Sequence, residues 1–358
     1  MKWIFCLIPL FLFGNTTELS SEKISWQGSS LFLEKVFYSG SFFEKSLSIS
    51  GDKALCLFSS EKTFKDFSLS LENRIECLLD NKYRLSCGKM TYTPQQTIFG
   101  YPTPKNPCLL SYENQTLNTS CIKINQKEAS LEKPFGNIPL PGFAPLLFSS
   151  DELSLSLDTR SLILKGNVVF ECPNTFLLKG EKISCLQNDK IIQKVISEGK
   201  TEIINQSPFY QICCLGTIEV IPSTKEILAI GVDPLILETQ EATIYANEAH
   251  VSYGEDKTAL KISLEKDIRF FTKDHSCLGM ADTLTFFPDQ NLYILACHGN
   301  KKVLLQQKDK GSLTASVLRI QRKKGNDLIS AEGIVHVSFT EEEDKLFQEL
   351  FTKFVKLR

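Results

Sequence analysis

The sequence has little of the chemistry that most catalytic sites need. Its 358 residues include only four histidines, two tryptophans and three methionines. The 40 basic and 42 acidic residues nearly cancel to a net charge of -2, which excludes a nucleic-acid binder that depends on a bulk positive field. P-loop, Gly-x-Ser-x-Gly, His-Glu-x-x-His and Gly-x-Gly-x-x-Gly motifs in a suitable context are missing as well. Composition therefore favours a binding protein over an enzyme.

Metal ligands at tight spacing are also missing. A structural zinc site draws its ligands from closely spaced cysteines and histidines. The chain has no Cys-x-x-Cys pair, and Cys297-His298 is its only adjacent Cys–His pair. We expect neither a metal nor a cofactor.

Long apolar runs are confined to the beginning of the chain. Met1-Lys2 is followed by an apolar run over residues 3–13 and then by polar residues. This run is shorter than the roughly 20 residues that cross a bilayer, so it predicts a secretory signal over residues 1–20, with a retained anchor as the alternative. Twelve cysteines suit an oxidising compartment, and most stand where a small apolar residue would stand in a strand. The pattern indicates an exported protein with buried thiols and one or two possible disulfides.

Alternating apolar residues are abundant. Apolar and polar positions alternate over residues 168–172, 260–264 and 329–339, and turn-forming residues such as Pro288-Asp289-Gln290-Asn291 separate such runs. An alternation with period two is typical of strands that bury one face. Helical periodicity is almost absent before residue 340. The sequence predicts an all-β chain.

The strands also repeat. A glycine follows an apolar strand segment at steps of about 33 residues, with one double step after the third of these positions: Gly166, Gly199, Gly231, Gly299 and Gly333. A two-strand unit of this length cannot bury its own apolar face, so neighbouring units are expected to stack into an antiparallel ladder with two facing sheets. The glycines are expected where the chain bends or passes close to its neighbour. An ordinary antiparallel sandwich is the alternative.

Composition divides the chain further. Residues 134–149 are rich in proline and predict a linker or a long loop, in which Ile138, Leu140 and Phe143 are expected to be buried. This segment separates a β-repeat region at 21–133 from a clearer one at 150–339. Residues 340–358 begin with a capping box, Thr340 with Glu343, and continue with an apolar stripe that predicts an amphipathic helix. The helix is expected to close the open end of the ladder, to dock a partner or to lie on a membrane surface.

The repeated strands resemble the OstA-like domains of lipopolysaccharide transport proteins, the LptA family. The resemblance rests on Leu164-Lys165-Gly166-Asn167-Val168 and Ala331-Glu332-Gly333-Ile334-Val335. It also rests on Tyr245-Ala246-Asn247-Glu248-Ala249 and on Gly279-Met280-Ala281-Asp282-Thr283. It covers residues 160–339 and, more loosely, 30–130. The chain departs from the family in its length, its cysteines, the proline-rich segment and the terminal helix.

The resemblance implies a fold and a function. The fold is a stacked antiparallel β-taco, or β-jelly roll, with an apolar interior. The function is non-catalytic: the protein is periplasmic, acyl chains of lipopolysaccharide (lipid A) move along the groove toward the outer membrane, and copies or other transport components join by edge-strand pairing, with no nucleic acid involved. Lys182, Lys200, Lys261, Lys301 and Lys302 are expected at the rim. The expected lipid-binding residues are Val168, Phe170, Ile183, Ile203, Ile218, Val220, Ile244, Leu284, Phe286, Val303, Leu305, Val335 and Val337.

Two other functions fit the residues. An exported scaffold would use the repeats to display a protein-binding face. A β-helical polysaccharide lyase or hydrolase would need acid–base groups that converge on one groove. The four histidines are scattered over positions 250, 275, 298 and 336, which gives the enzyme little support.

Overall fold

The structure is a computed structural model that describes residues 8–10, 17–58, 67–93, 95–112, 115–157, 161–188, 191–255, 259–308, 311–323 and 328–338. The predicted helix at 340–358 and most of the predicted signal region lie outside the described residues. The part of the chain that is described folds almost entirely into antiparallel strands, which confirms the all-β prediction.

The chain divides into two compact units. The first comprises Met1–Ile138 and Leu147–Val168, and the second comprises Pro139–Leu146 and Val169–Arg358. Strands β1 to β14 are Ile8–Leu10, Thr17–Gln27, Ser30–Phe42, Lys45–Phe58, Phe67–Leu79, Tyr83–Thr93, Thr97–Tyr101, Cys108–Tyr112, Gln115–Thr119, Cys121–Ile124, Glu128–Glu132, Phe135–Ile138, Leu146–Ser149 and Glu152–Ser156. Strands β15 to β22 are Leu162–Cys172, Phe176–Asn188, Ile191–Gln206, Phe209–Ile221, Glu226–Thr239, Ala242–Tyr253, Ala259–Thr272 and Cys277–Phe287. Strands β23 to β28 are Leu292–Ala296, Val303–Gln307, Gly311–Ala315, Val317–Gln321, Leu328–Glu332 and His336–Ser338.

In the second unit the long strands bend in the middle and contribute to two half-sheets. The pairing of β18 with β19 breaks between Cys213 and Gly216, and that of β21 with β22 breaks between Glu265 and Ile268. Half-sheet A contains residues 201–206, 209–213, 235–239, 242–246, 268–272, 277–281, 303–307 and 311–315. Half-sheet B contains residues 191–198, 216–221, 226–230, 248–253, 259–265, 283–287, 292–296, 317–321 and 328–332.

Glycines permit this bend. Gly199, Gly216 and Gly231 are directly paired across three neighbouring strands. Gly199 has a φ of 88°, a conformation that residues with a side chain rarely adopt. A Cβ on Gly216 would overlap the carbonyl oxygen of Ile230. The prediction that the glycines mark bends and close approaches is therefore confirmed at these positions.

The inner faces of the two half-sheets form the core of the second unit. Alternate residues of each half-strand are buried, as in β18 with Tyr210 and Ile212 before the bend and Ile218 and Val220 after it. Since the hydroxyl of Tyr210 in half-sheet A hydrogen-bonds to that of Tyr253 in half-sheet B, the two inner faces meet. The stacked ladder with two facing sheets is confirmed within this unit.

The first unit follows the same plan. The pairing of β4 with β5 breaks between Ser50 and Lys53, and the pairing of β5 with β6 breaks between Glu72 and Ile75. Tyr38 from one side of the bend packs on Tyr92 from the other at 5.7 Å between ring centroids, and the two hydroxyls hydrogen-bond. A tyrosine pair therefore joins the facing half-sheets of each unit.

The proline-rich segment is partly regular. Strands β12 and β13 occupy Phe135–Ile138 and Leu146–Ser149, and the residues between them form no strand. Ile138, Leu140 and Phe143 are buried, as the sequence predicts. Within the second unit, Phe143 packs edge-on against Phe176 and Tyr253, each at 5.9 Å.

Candidate lipid-binding cavity

A cavity of about 270 Å³ lies between half-sheets A and B near the C-terminal end of the second unit. Half-sheet A supplies Ala242, Ile244, Phe270 and Leu305, and half-sheet B supplies Leu284, Leu295, Ile320 and Ile329. The cavity lies where the long strands, of which β22 is the last, are followed by the short strands β23 to β28. These eight side chains form the apolar part of a mixed wall, and this part suits a hydrocarbon ligand.

The polar residues that line the cavity lie toward the hairpin turns. Arg322 follows β26 in half-sheet B, Glu241 occupies the turn before β20 in half-sheet A, and Arg322 Nε lies 3.2 Å from Glu241 Oε2. Both side chains are about a third to a half exposed, so this ion pair contributes little to stability. It does place a guanidinium and a carboxylate beside the opening of an apolar cavity.

Asp274 adds a second negative charge to this rim. Hydrogen bonds from Thr272 and Ser276 lower the pKa of Asp274 to about 2, with the Ser276 hydroxyl 2.7 Å away. The carboxylate therefore stays ionised at neutral pH. We name Glu241, Asp274 and Arg322 the rim.

Tyr293 lies at the boundary between the rim and the apolar wall. Its ring stacks on Phe286 at 4.3 Å, and its hydroxyl hydrogen-bonds to Thr239 in the opposite half-sheet. Burial raises the pKa of Tyr293 to about 12, so the phenol is neutral at physiological pH. This contact limits how far the two half-sheets can separate beside the cavity.

A pair of tyrosines fills the space between the half-sheets next to the cavity. Tyr210 and Tyr253 are both buried, and burial raises the pKa of both hydroxyls, so each stays protonated and shares one hydrogen bond with the other. The pair closes the space between the half-sheets at that level.

Removing both hydroxyls of this pair is expected to destabilise the protein by less than the sum of the two single removals. Tyr210→Phe leaves the Tyr253 hydroxyl buried without its partner, which costs about 1–3 kcal/mol of unfolding free energy. In Tyr210→Phe/Tyr253→Phe no polar group is stranded, so the double variant is expected to lose less than the sum of the single variants. Urea unfolding of the four proteins measures this coupling. Strictly additive losses would show that the hydroxyls do not interact.

The lipid-binding residues predicted from the sequence fall into three groups: some line the cavity, some are exposed and the others are buried away from it. Ile244, Leu284 and Leu305 line the cavity. Val335 and Val337 are exposed, by 41% and 53% respectively. Val337 lies on β28 and Val335 just before it, and among the described residues β28 pairs only with β25. Eight of the predicted residues are buried in the inner faces without contributing to the cavity wall: Val168, Phe170, Ile183, Ile203, Ile218, Val220, Phe286 and Val303.

Two of the five lysines expected at the rim lie elsewhere. Lys182 pairs with Glu198 at the bend between β16 and β17, and Lys301 pairs with Asp282 at 3.0 Å, so both lie at the closed side of the unit. These two lysines therefore do not border the opening, because they lie where the chain passes from one half-sheet to the other. Sequence reasoning missed Glu241, Asp274 and Arg322; their one signal was their position in or beside turn segments.

The described residues offer neither a metal site nor a membrane-spanning helix. They contain no group of three or more His, Cys, Asp or Glu side chains placed to hold a metal ion. None of their helices is long and apolar enough to cross a bilayer.

The fold and the cavity define a class of protein, a stacked and bent β-repeat with an apolar interior. No family model matches the chain, and no curated protein matches it. Among solved structures, the chain is similar to LptH, described as the LptA-homologous periplasmic component of the lipopolysaccharide transport device of Pseudomonas aeruginosa. The match covers 31% of this chain and 77% of LptH at 17% identity, with a TM-score of 0.27. A likeness of this size assigns neither a family nor a function.

Proposed function

We propose that the protein is a non-catalytic periplasmic carrier that binds acyl chains of lipopolysaccharide and passes the lipid toward the outer membrane. The observation that carries this proposal is the cavity between half-sheets A and B, which has apolar side chains from both half-sheets in its wall and the charged residues Glu241, Asp274 and Arg322 at its rim. An amphiphile matches that distribution, because its chain needs apolar contacts and its head group needs water or charge.

The size of the cavity favours one acyl chain at a time. Its volume of about 270 Å³ is just below the roughly 300–1,000 Å³ of sites that enclose a drug-sized ligand. Each buried methylene contributes about 0.8 kcal/mol, so a single chain supplies enough free energy for measurable binding. The head group stays outside, at the rim, where it remains in contact with water.

The last strands support the proposed assembly with other components. Among the described residues, β27 pairs with β26 alone and β28 pairs with β25 alone. Leu328, Ile329 and Val337 on these strands are exposed. An exposed apolar edge with unpaired backbone groups is suited to strand addition by another copy or by another transport component.

The same edge favours the second candidate, an exported scaffold that binds a protein partner. A scaffold needs the edge and has no use for the cavity. The two functions therefore differ in whether an acyl chain enters between the half-sheets.

Photo-crosslinking tests the carrier. A photoreactive amino acid at Leu284 or Leu305, whose side chains line the cavity, is expected to capture lipid A efficiently. Thr285 is the matched control, because it neighbours Leu284 on the same strand and its side chain points to the other face. We expect capture from Thr285 to stay at the background level of the wild-type protein. Equal capture from Leu284 and Thr285, or none from either cavity position, would contradict the proposal.

A further inference from the structure

The first unit contains neighbouring thiols that the proposed function does not use. Cys77 on β5, Cys87 on β6 and Cys108 on β8 are buried to 1% exposure or less, and Cys121 on β10 is half-buried. They interact electrostatically: ionisation of Cys87 would raise the pKa of Cys77 and of Cys108. These thiols therefore lie close together inside one unit.

Strand register singles out one pair among them. Strands β6 and β8 are paired from Tyr83 with Tyr112 through Ser86 with Leu109. One further step in the same antiparallel register sets Cys87 opposite Cys108. Leu85 and Leu110, two residues back on each strand, are directly paired and both buried, so the two thiols point to the same buried face.

The spacing of directly opposed residues fits a disulfide. Opposed residues in antiparallel strands have Cα atoms roughly 4.5–5.5 Å apart, within the roughly 4.4–6.8 Å that a disulfide spans. Cys77 is instead a diagonal neighbour of Cys87, because Cys77 pairs with Leu85 and Cys87 pairs with Ile75. Diagonal neighbours are about 7–8 Å apart, which is too far without backbone movement. The remaining thiol of the group, Cys121, has a different partner, because it shares a hydrogen bond with the Tyr101 hydroxyl.

We propose that Cys87 and Cys108 are a disulfide-forming pair, which joins β6 to β8 when the chain folds in an oxidising compartment. The position matters for the fold, because β6 changes partner there: its residues 83–86 pair with β8, and its residues 89–93 pair with β7. The bond holds the two strands together at this change of partner. The proposal needs an oxidising environment and does not depend on lipid binding.

The chemistry is thiol–disulfide exchange with a small-molecule or protein disulfide. The thiolate of one cysteine attacks the reagent's disulfide, which forms a mixed disulfide and releases one thiol. The second cysteine attacks the mixed disulfide, which forms the protein S–S bond and releases the second thiol. Two electrons pass to the reagent, and the two cysteine protons end on the two released thiols.

Burial determines when this reaction takes place. Desolvation raises the pKa of Cys87 to about 12 and also raises that of Cys108, so the folded, reduced unit holds almost no thiolate at neutral pH. The bond is therefore expected to form while the chain folds and to form slowly once folding is complete.

Peptide mapping of the full chain tests the pair. Protein unfolded under reducing conditions is refolded with a mixture of oxidised and reduced glutathione, alkylated and digested for mass spectrometry. We expect a peptide pair joined through Cys87 and Cys108. The fully buried Cys185 of the second unit, whose pKa is raised by desolvation with no neighbouring thiol, should be recovered as an alkylated thiol after unfolding. Recovery of Cys87 and Cys108 as free thiols, or in bonds with Cys77 or Cys121, would overturn the proposal.

A stability measurement gives a second readout. Reducing the disulfide in the folded protein is expected to raise the unfolding constant of the wild-type protein about a hundredfold, because the closed loop restricts the unfolded chain. Cys87→Ala is expected to show no such response to the reductant, whereas Cys185→Ala should respond as the wild type does. An equal response of Cys87→Ala and wild type would also overturn the proposal.

Discussion

Replacing Ala242 by phenylalanine is expected to weaken lipid A binding about a hundredfold and to leave the protein folded. Ala242 lines the cavity at the start of β20, beside the rim residue Glu241. A phenyl ring there occupies space that three or four methylenes of an acyl chain would fill. At about 0.8 kcal/mol for each methylene the loss is near 3 kcal/mol, or about two powers of ten in the dissociation constant.

The fold is expected to tolerate this change because the added ring fills empty space. Apolar contacts made inside a cavity add dispersion energy without displacing packed atoms. Binding of labelled lipid A to the full-length protein measures the first effect, and urea unfolding measures the second. Ala242→Leu, with a smaller side chain, is expected to give an intermediate loss of binding.

The control for this experiment is a residue whose side chain points away from the cavity, Thr285. Thr285→Phe adds a ring of the same size to β22 on the face opposite Leu284 and is expected to bind lipid A as the wild type does. Unchanged binding by Ala242→Phe would place the acyl chain elsewhere. Equal losses in both variants would show that added apolar surface, and not the filled cavity, is responsible.

The strands and their bends could be predicted from the sequence because both follow local rules. Alternation of apolar residues requires only that one face of a strand be buried, and this holds on each side of the bend in β18 and β19. Gly199 and Gly231 lie one repeat apart in the sequence and meet as part of one row at the bend, each paired with Gly216. Because the backbone needs the same freedom at each bend, glycine recurs there in the sequence.

The rim could not be predicted because it depends on residues that are distant in the chain. Glu241 and Arg322 belong to turns of different half-sheets, and the pattern within either turn contains no sign of the other. The sequence led instead to lysines near the glycines, such as Lys182, and these lie at the bend with carboxylate partners.

Burial of a strand face also differs from access to a ligand. Phe170 and Leu284 both alternate correctly and both are buried, but only Leu284 lies where the half-sheets leave a space between them. Val337 alternates as well and is exposed, because β28 lies at the end of the described ladder with β25 as its one described neighbour. Periodicity identifies the inner face, whereas the cavity depends on how many strands cover it.

Raising the pH above about 9 under reducing conditions is expected to destabilise the protein steeply. Cys56 in the first unit and Cys185 in the second are buried, and desolvation raises the pKa of each thiol from 9.0 to about 12. Between these values the unfolded chain has lost the proton while the folded chain keeps it. The folded state then binds more protons, so the free energy of unfolding falls as the pH rises.

The stability that comes from these neutral thiols is fully present below pH 9, the unfolded pKa, and is lost as the pH rises through about 12, the folded pKa. Each thiol contributes a slope of about 1.4 kcal/mol per pH unit, or about 4 kcal/mol over the whole window. Total stabilities are roughly 5–15 kcal/mol, so two such thiols remove a large part of the total. Urea unfolding between pH 7 and pH 11, followed by circular dichroism, measures the slope.

Cys185→Ala separates the titration of this thiol from its packing. The variant is expected to be less stable than wild type at pH 7, because a buried sulfur is lost, but to lose less stability per pH unit above pH 9. Leu186→Ala, next to it on the exposed face of β16, alters packing without removing a titrating group and should keep the wild-type slope. If the unfolding free energy of Cys185→Ala fell with pH as steeply as that of wild type, the thiol would ionise as easily in the folded chain as in the unfolded one. Cys185 would then not be buried between the half-sheets as it is in the structure.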